Sequence, residues 1–182
     1  MKTRTKKCKN CKQPFTPYTS LQKFCTESDC IRVLVEETKA KEWKKKKSKT
    51  KEELMTVQDW IKIAQQTFNK YIRLRDGGND CISCQKQPLK RNAGHFYNAN
   101  NHWNLRFNED NVHLQCEHCN TFLSGNLLEY RGHLITKIGV ERFGALESEA
   151  KKIRKYSIDE LKNIVILYKQ KIKDYEKKAE RP

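Results

Sequence analysis

Cys81-Ile82-Ser83-Cys84 and Cys116-Glu117-His118-Cys119 bracket the most informative part of this 182-residue chain. Two residues between a pair of thiolates allow a tight turn to direct both sulfur atoms at one ion, and two such turns supply the four ligands of a closed tetrahedral zinc site. The spacing therefore predicts a structural Zn²⁺ ion bound by Cys81, Cys84, Cys116 and Cys119.

The other four cysteines form a second set, Cys8-x2-Cys11 and Cys25-x4-Cys30, so all eight cysteines occur in short pairs. We expect a second structural Zn²⁺ ion here. A disulfide framework is the alternative, but it needs an oxidising compartment, and the basic N-terminal residues lack the apolar run of a signal peptide. A redox protein with CxxC pairs would show titratable thiols without zinc. We expect a cytoplasmic zinc protein.

The charge of the chain points to a polyanionic partner. Lys and Arg number 38 against 22 Asp and Glu, which gives a formal net charge of +16. Each basic side chain placed on a phosphate releases condensed counterions, so nucleic acid is the expected partner. No segment approaches the ~18 consecutive apolar residues of a membrane span, and we expect no membrane association.

The composition divides the chain into three parts. Residues 1–35 contain the first cysteine set and read as a small zinc module. Residues 36–54 are rich in lysine, with eight lysines and one glutamate between positions 39 and 51. Lys44, Lys45, Lys46 and Lys47 are candidate DNA-phosphate contacts, although a solvated helix or linker is an equal alternative. Residues 55–182 form the main domain.

Two capping boxes predict helices in the main domain. Thr56-x-x-Asp59 precedes apolar residues at helical spacing, and Ser157-x-x-Glu160 does the same near the C-terminus. The last helix would close the domain or pair with a second copy in a homodimer. Strands between the cysteine pairs together with these helices predict an α+β fold.

The segments around the second cysteine set resemble a known family. They are similar to the bacteriophage NinG (Rap) recombination proteins, and the resemblance covers nearly the whole chain. It is carried by Cys81-x2-Cys84, Gly94-His95-Phe96-Tyr97, residues 103–111, Cys116-x2-Cys119-Asn120 and Ser124-Gly125-Asn126. The resemblance implies a small zinc-stapled ββα-metal (HNH) core and a structure-specific DNA endonuclease. It implies branched substrates such as D-loops and Holliday junctions, catalytic Mg²⁺ or Mn²⁺, a recombination-protein partner and, for a phage product, the host cytoplasm.

Three residues fit the HNH pattern. Hydrolysis of a phosphodiester needs a base that activates water, and His95, with an unperturbed pKa of about 6.5, can take a proton at neutral pH. Asn111, sixteen positions after His95, occupies the place of the Asn that orders the hairpin and orients the base. Asn120, directly after the fourth cysteine, occupies the place of the metal ligand on the helix.

The pattern departs from many HNH sites at Gly94, where an acidic residue or a histidine often binds the metal. Because Mg²⁺ prefers oxygen ligands, a carboxylate from elsewhere would complete the site. Glu109, Asp110 and Asp76 are the candidates, and the sequence does not choose among them. His113, two residues beyond Asn111, is a further candidate ligand and catalytic residue.

Arg106 is a candidate DNA contact that would bind a phosphate near the scissile bond, with an ion pair to Glu109 or Asp110 as the alternative. The departure at Gly94 also leaves a second function open. In it, the chain is a non-catalytic, zinc-dependent nucleic-acid-binding protein whose HNH core is degenerate.

Overall fold

The computed structural model describes residues 5–179. The chain divides between Met55 and Thr56 into two compact units, which we call the N-terminal unit and the C-terminal unit. The division falls one residue after the start of the main domain expected from the sequence. The boundary expected between residues 35 and 36 does not separate two compact units, because a single helix runs through these positions.

The N-terminal unit is a small cysteine module followed by a long helix. Strands β1 (Lys6–Lys7) and β2 (Pro14–Phe15) pair antiparallel, and helix α1 spans Ser28–Glu53. The buried core consists of Cys8, Phe24 and Cys30. So few apolar side chains contribute little to the stability of a fold of this size, and a metal ion at the four cysteines would add folding free energy.

Helix α1 leaves the module and continues into solvent. Cys30, in its first turn, is buried, whereas every residue from 38 to 54 is exposed. The lysine-rich segment is therefore the distal part of this helix. Lysine and glutamate favour the helix, and no apolar stripe is present to bind it to a core.

The C-terminal unit is mixed α and β. Its elements in order are α2 (Val57–Arg75), β3 (Arg91–His95), β4 (Val112–Cys116), a π-helix (His118–Phe122), α3 (Leu127–Ile138), α4 (Val140–Ala150) and α5 (Ile158–Ala179). Both capping boxes are confirmed: the Asp59 carboxylate accepts from the backbone N–H of Thr56 at 3.0 Å, and that of Glu160 from Ser157 at 2.8 Å.

Two apolar clusters support the antiparallel hairpin β3–β4. Helices α2 and α5 pack against each other and against Val112 of β4, with Phe68 and Tyr168 in edge-to-face contact at 4.8 Å between ring centroids. The second cluster joins α3 and α4 around the buried Tyr130, whose hydroxyl donates to the carbonyl of Gly94 at 2.9 Å. The hairpin is thus held from both sides.

Among the described residues, no helix is both long and apolar enough to cross a membrane.

Candidate active site

The eight cysteines form two sets of four, as the sequence predicts. In each set the sulfur atoms lie within 4.8 Å of one another. The Sγ atoms of Cys11 and Cys25 are 3.7 Å apart, and those of Cys84 and Cys116 are 3.8 Å apart. A tetrahedral zinc ion with Zn–S bonds of about 2.3 Å needs sulfur atoms about 3.8 Å apart, whereas a disulfide needs about 2 Å. The geometry fits zinc and does not fit disulfides.

The two sets use the same turn. The residue after the second cysteine of the first CxxC pair in each set has a positive φ, 63° at Lys12 and 54° at Gln85. Its backbone N–H donates to the carbonyl of the first cysteine, Cys8 or Cys81, at 3.0 and 2.9 Å. This turn brings the two sulfur atoms of the pair toward one point. The third CxxC pair, Cys116–Cys119, runs instead from the end of β4 into the π-helix.

The thiols differ in how readily they lose the proton that metal binding displaces. Burial opposes ionisation of Cys8, but hydrogen bonds from Cys25, Cys11 and Asn10 outweigh it and lower the pKa of the thiol to about 6. At Cys119 burial and the neighbouring sulfur atoms raise the pKa to about 12. Four adjacent thiolates repel one another, and a divalent cation removes that repulsion.

His95 and Asn120 line one open cleft of about 420 Å³. His95 is the last residue of β3, and Asn120 lies in the π-helix directly after Cys119. The other residues of the cleft are polar or small: Asn98, Ala99, Asn100, Ser124 and Gly125. The candidate zinc ligands Cys116 and Cys119 connect the end of β4 to this helix, so a zinc ion would fix Asn120 relative to the hairpin.

The ring of His95 is held in one tautomer. Its Nε2 lies 3.0 Å from the backbone carbonyl of Arg106. A carbonyl can only accept, so Nε2 carries the proton and Nδ1 keeps its lone pair. Nδ1 has no hydrogen-bond partner within residues 5–179 and is not buried. Burial lowers the pKa of His95, and the charge of Arg106 lowers it further, against a raising effect of the bond to the Arg106 carbonyl.

Asn111 stabilises the loop whose backbone carbonyl binds the ring of His95. It is fully buried. Its Nδ2 donates to the carbonyls of Tyr97 and Leu105 at 2.9 and 3.1 Å, and its Oδ1 accepts from the backbone N–H of Tyr97 at 2.7 Å. Leu105 precedes Arg106, whose carbonyl holds the imidazole. Asn111 therefore acts on the orientation of His95 through one peptide unit.

The three carboxylates considered as completing ligands lie outside the cleft. Glu109 accepts from the hydroxyls of Tyr71 and Tyr168 at 3.1 and 3.2 Å. Asp110 accepts from Arg142 at 3.0 Å. Asp76 is buried.

Asp76 accepts from Arg75 at 2.8 Å and from the N–H of Leu114 at 3.1 Å. Despite burial, which raises it, the pKa of Asp76 is well below its usual range because of the hydrogen bond from Arg75 and the positive charges of Arg75 and Lys137. All three carboxylates thus have structural partners, and the residues that line the cleft offer neutral oxygen atoms.

His113 is not brought together with His95. In the register of the hairpin His95 pairs with Val112, and Gly94 pairs with His113. Successive side chains of a strand point to opposite faces, so His113 lies on the face opposite His95. Its Nδ1 is 3.0 Å from Arg75, and its Nε2 is 3.2 Å from the carbonyl of Asp110. This placement argues against His113 as a ligand in the His95 cleft.

Gln115 is a residue that the sequence interpretation missed. Its side chain is fully buried, and its Nε2 donates to Ser83 Oγ and to the carbonyl of Gly125, both at 2.6 Å. A Cβ at Gly94 would overlap this amide, with Gln115 Cδ only 2.6 Å away. The glycine at position 94, which departs from the HNH pattern, is thus required by the position of the Gln115 side chain. A buried glutamine that packs against a glycine two positions along the neighbouring strand carries no local sequence signal.

Arg106 is only 8% exposed. Its Nη atoms donate to the amide oxygens of Gln65 and Asn100 at 3.2 and 3.0 Å, and its guanidinium lies 5.2 Å from the ring centroid of Trp103. Neither Glu109 nor Asp110 pairs with it in the described part of the chain. Arg106 is therefore too buried to be the exposed phosphate contact that the sequence suggested. Its positive charge lies beside the cleft, next to Asn100.

The predicted DNA-contact lysines belong to the other unit. Lys44, Lys45, Lys46 and Lys47 lie on the exposed part of α1. They make no ion pair within residues 5–179. Their ammonium groups are therefore available to phosphates.

Comparison with known proteins gives one consistent result. A family profile described as "Bacteriophage Lambda NinG protein" matches residues 1–180. Protein ninG of Escherichia phage 933W is 35% identical over 187 aligned positions, which cover 93% of this chain and 92% of that protein.

Protein ninG of Escherichia phage lambda is 45% identical over 116 residues, which cover 63% of this chain and 56% of that protein. The ninG protein of Salmonella phage P22 is 43% identical over 116 residues, which cover 63% of this chain and 57% of that protein. The chain thus spans little more than half the length of these two relatives. No solved structure matches the chain.

Proposed function

Because the chain belongs to the NinG family of bacteriophage proteins, we propose that it is a metal-dependent DNA endonuclease that cuts branched intermediates of phage recombination. The observation that supports this function best is the pairing of His95 with the Arg106 carbonyl. It leaves an unprotonated Nδ1 at a polar cleft. This is the state that a general base needs.

In the proposed reaction His95 Nδ1 takes a proton from a water molecule that attacks a DNA phosphate. The lowered pKa of His95 keeps its ring neutral at physiological pH. Asn111 keeps the Leu105–Arg106 peptide, and with it the imidazole, in place. The positive charge of Arg106 beside the cleft favours the approach of a phosphate.

Asn120 is the proposed protein ligand for Mg²⁺ or Mn²⁺. Its side chain makes no hydrogen bond to any residue from 5 to 179, and it lines the cleft. Amide oxygen suits these hard cations, but the cleft offers no carboxylate, so the anionic ligand must be the DNA phosphate. A divalent ion there would neutralise charge that develops on the phosphate and its leaving oxygen.

The test compares His95→Ala with the wild type on four-way junctions, D-loops, duplex and single-stranded DNA, with Mg²⁺ or Mn²⁺. Loss of the base should lower the incision rate about 10²- to 10⁴-fold. Zinc content and junction affinity should not change. The matched control is His118→Ala, because His118 is exposed and does not line the cleft. Wild-type cutting by His95→Ala would refute the proposal.

Two substitutions of Asn120 test the divalent-ion ligand. Asn120→Ala should raise the Mg²⁺ concentration needed for half-maximal incision. Asn120→Asp places a carboxylate in the cleft and should lower it. If both variants need the same concentration as the wild type, Asn120 is not the ligand.

A second candidate function rests on the absence of a carboxylate among the residues that line the cleft. In it, the protein binds branched DNA through its zinc modules and lysines without cutting it. Junction binding by the wild type with no incision in either divalent cation would favour this function over the endonuclease.

A further inference from the structure

Trp43 is a large aromatic side chain with no structural partner. It is 67% exposed and makes no ring contact or hydrogen bond with other described residues. Tryptophan is normally at least partly buried, because its ring removes more apolar surface from water than almost any other side chain. An exposed indole that lies in one cleft with three lysines marks a candidate binding surface.

The surroundings of Trp43 form a basic face on α1. An open cleft of about 440 Å³ is lined by Trp43, Lys46, Lys47, Thr50, Lys51 and Leu54. Counted from Trp43 these positions are i, i+3, i+4, i+7, i+8 and i+11, so they lie on one side of the helix. The cleft is lined by three ammonium groups and by the apolar side chains of Trp43 and Leu54. No acidic side chain lines it.

This face does not suit a membrane or a protein groove. Between Lys44 and Glu53 the helix contains no apolar residue. Insertion into a lipid surface needs a continuous apolar face, and so does docking into a hydrophobic groove. Trp43 and Leu54 stand at opposite ends of the cleft, separated by about 16 Å along the helix axis. A partner must therefore be a polyanion with flat apolar groups.

We propose that Trp43 is a stacking platform for an unpaired base of single-stranded DNA, with Lys46, Lys47 and Lys51 on the flanking phosphates. Every base has a π-face that can stack on an indole, whereas bases in a duplex are already stacked on their neighbours. The indole thus adds a preference for unpaired strands to the non-specific attraction of the lysines. The proposal takes from the proposed function only that DNA is the partner, and it does not require cutting.

The experiment measures equilibrium binding of fluorescent oligothymidylate and of a duplex of equal length, without divalent cations and with His95→Ala as the parent chain. Trp43→Leu keeps an apolar side chain but loses the π-face. It should raise the dissociation constant for oligothymidylate about tenfold, within the range of one stacked base. Duplex affinity and the salt dependence of binding should not change.

Trp43→Phe is the conservative control and should keep most of the affinity because it keeps a ring. Tyr18→Ala is the location control: Tyr18 is 86% exposed in the same unit and does not line the cleft, and the variant should bind like the parent. Oligothymidylate should also quench the indole emission of the chain with Trp43 more than that of Trp43→Phe.

Unchanged binding of oligothymidylate by Trp43→Leu would overturn the proposal. An equal loss for oligothymidylate and duplex would overturn it too, because the indole would then not distinguish unpaired bases. Binding to phosphatidylserine vesicles that depends on Trp43, with DNA binding unaffected, would assign the face to membranes instead. A wild-type protein that fails to cut any DNA would refute the endonuclease and leave the result on Trp43 unaffected.

Discussion

Position 94 must be glycine because a side chain on the neighbouring strand fills the space of a Cβ. Its φ is not among the positive values of the chain, so its backbone does not require glycine. The amide of Gln115 occupies the space where a Cβ would lie, and Gln115 cannot retreat because Ser83 and Gly125 hold its Nε2. One glutamine thereby connects the CxxC turn, the hairpin and the turn at the rim of the cleft.

Gly94→Ala should therefore lower the free energy of unfolding by about 2 to 3 kcal/mol, as overpacking does in a rigid core. In the background Gln115→Ala the same substitution should cost less by about 1 kcal/mol or more, because the clashing amide is absent. Denaturant unfolding with zinc present measures both.

Gly132→Ala is the matched control for Gly94→Ala. Gly132 lies in α3 with nothing within 4 Å of an added Cβ, and alanine there should stabilise the helix by up to about 1 kcal/mol. Additive effects of Gly94→Ala and Gln115→Ala would contradict the steric account.

The pH dependence of incision should report the environment of His95. Burial and the charge of Arg106 lower its pKa, so the neutral, active ring persists to lower pH than in an unperturbed histidine, and the rate should fall only below about pH 6.5. Arg106→Gln removes the charge, so the acid limb should move to higher pH, whereas Arg106→Lys should leave it in place. An acid limb that is the same in both variants would exclude this electrostatic effect.

At the scale of elements, each four-cysteine set joins segments that are distant in the sequence. Cys30 attaches the start of α1 to the N-terminal module, and Cys119 attaches the π-helix with Asn120 to the hairpin. Loss of a ligand should release the attached element because zinc binding supplies folding free energy.

We expect Cys30→Ser and Cys119→Ser each to retain about one zinc ion per chain, against two in the wild type. Cys119→Ser should also lose incision, because Asn120 is no longer held at the cleft, whereas Cys30→Ser should keep a folded C-terminal unit. Elemental analysis and circular dichroism measure these outcomes. A wild-type chain with fewer than two zinc ions would contradict the two-site structure.

At the scale of the whole molecule, the net charge of +16 is distributed over both units. Replacing Lys44, Lys45, Lys46 and Lys47 with glutamine should reduce the slope of log affinity against log salt concentration by about 0.9 for each lost phosphate contact on duplex DNA. The matched control replaces four exposed lysines of α5 with glutamine, which lowers the net charge by the same amount: Lys169, Lys173, Lys177 and Lys178. Equal slopes in the two variants would show that only net charge matters.

The amino-acid sequence by itself determined the features that depend on neighbours along the chain. CxxC pairs place two sulfur atoms on one turn, and Thr56 and Ser157 begin helices through a partner three residues later. The grouping of the cysteines, the two capped helices and the family were therefore predictable, because each signal is contained in a short segment or in an overall pattern.

The tertiary structure alone decided which side chains share the cleft. The pairing of His95 with Val112 sets His113 on the opposite face, and a shift of one residue in this register would have exchanged them. Burial of Arg106 and the clash that requires Gly94 likewise arise from residues distant in sequence. These contacts result from the packing of the whole unit, and periodicity and spacing carry no information about them.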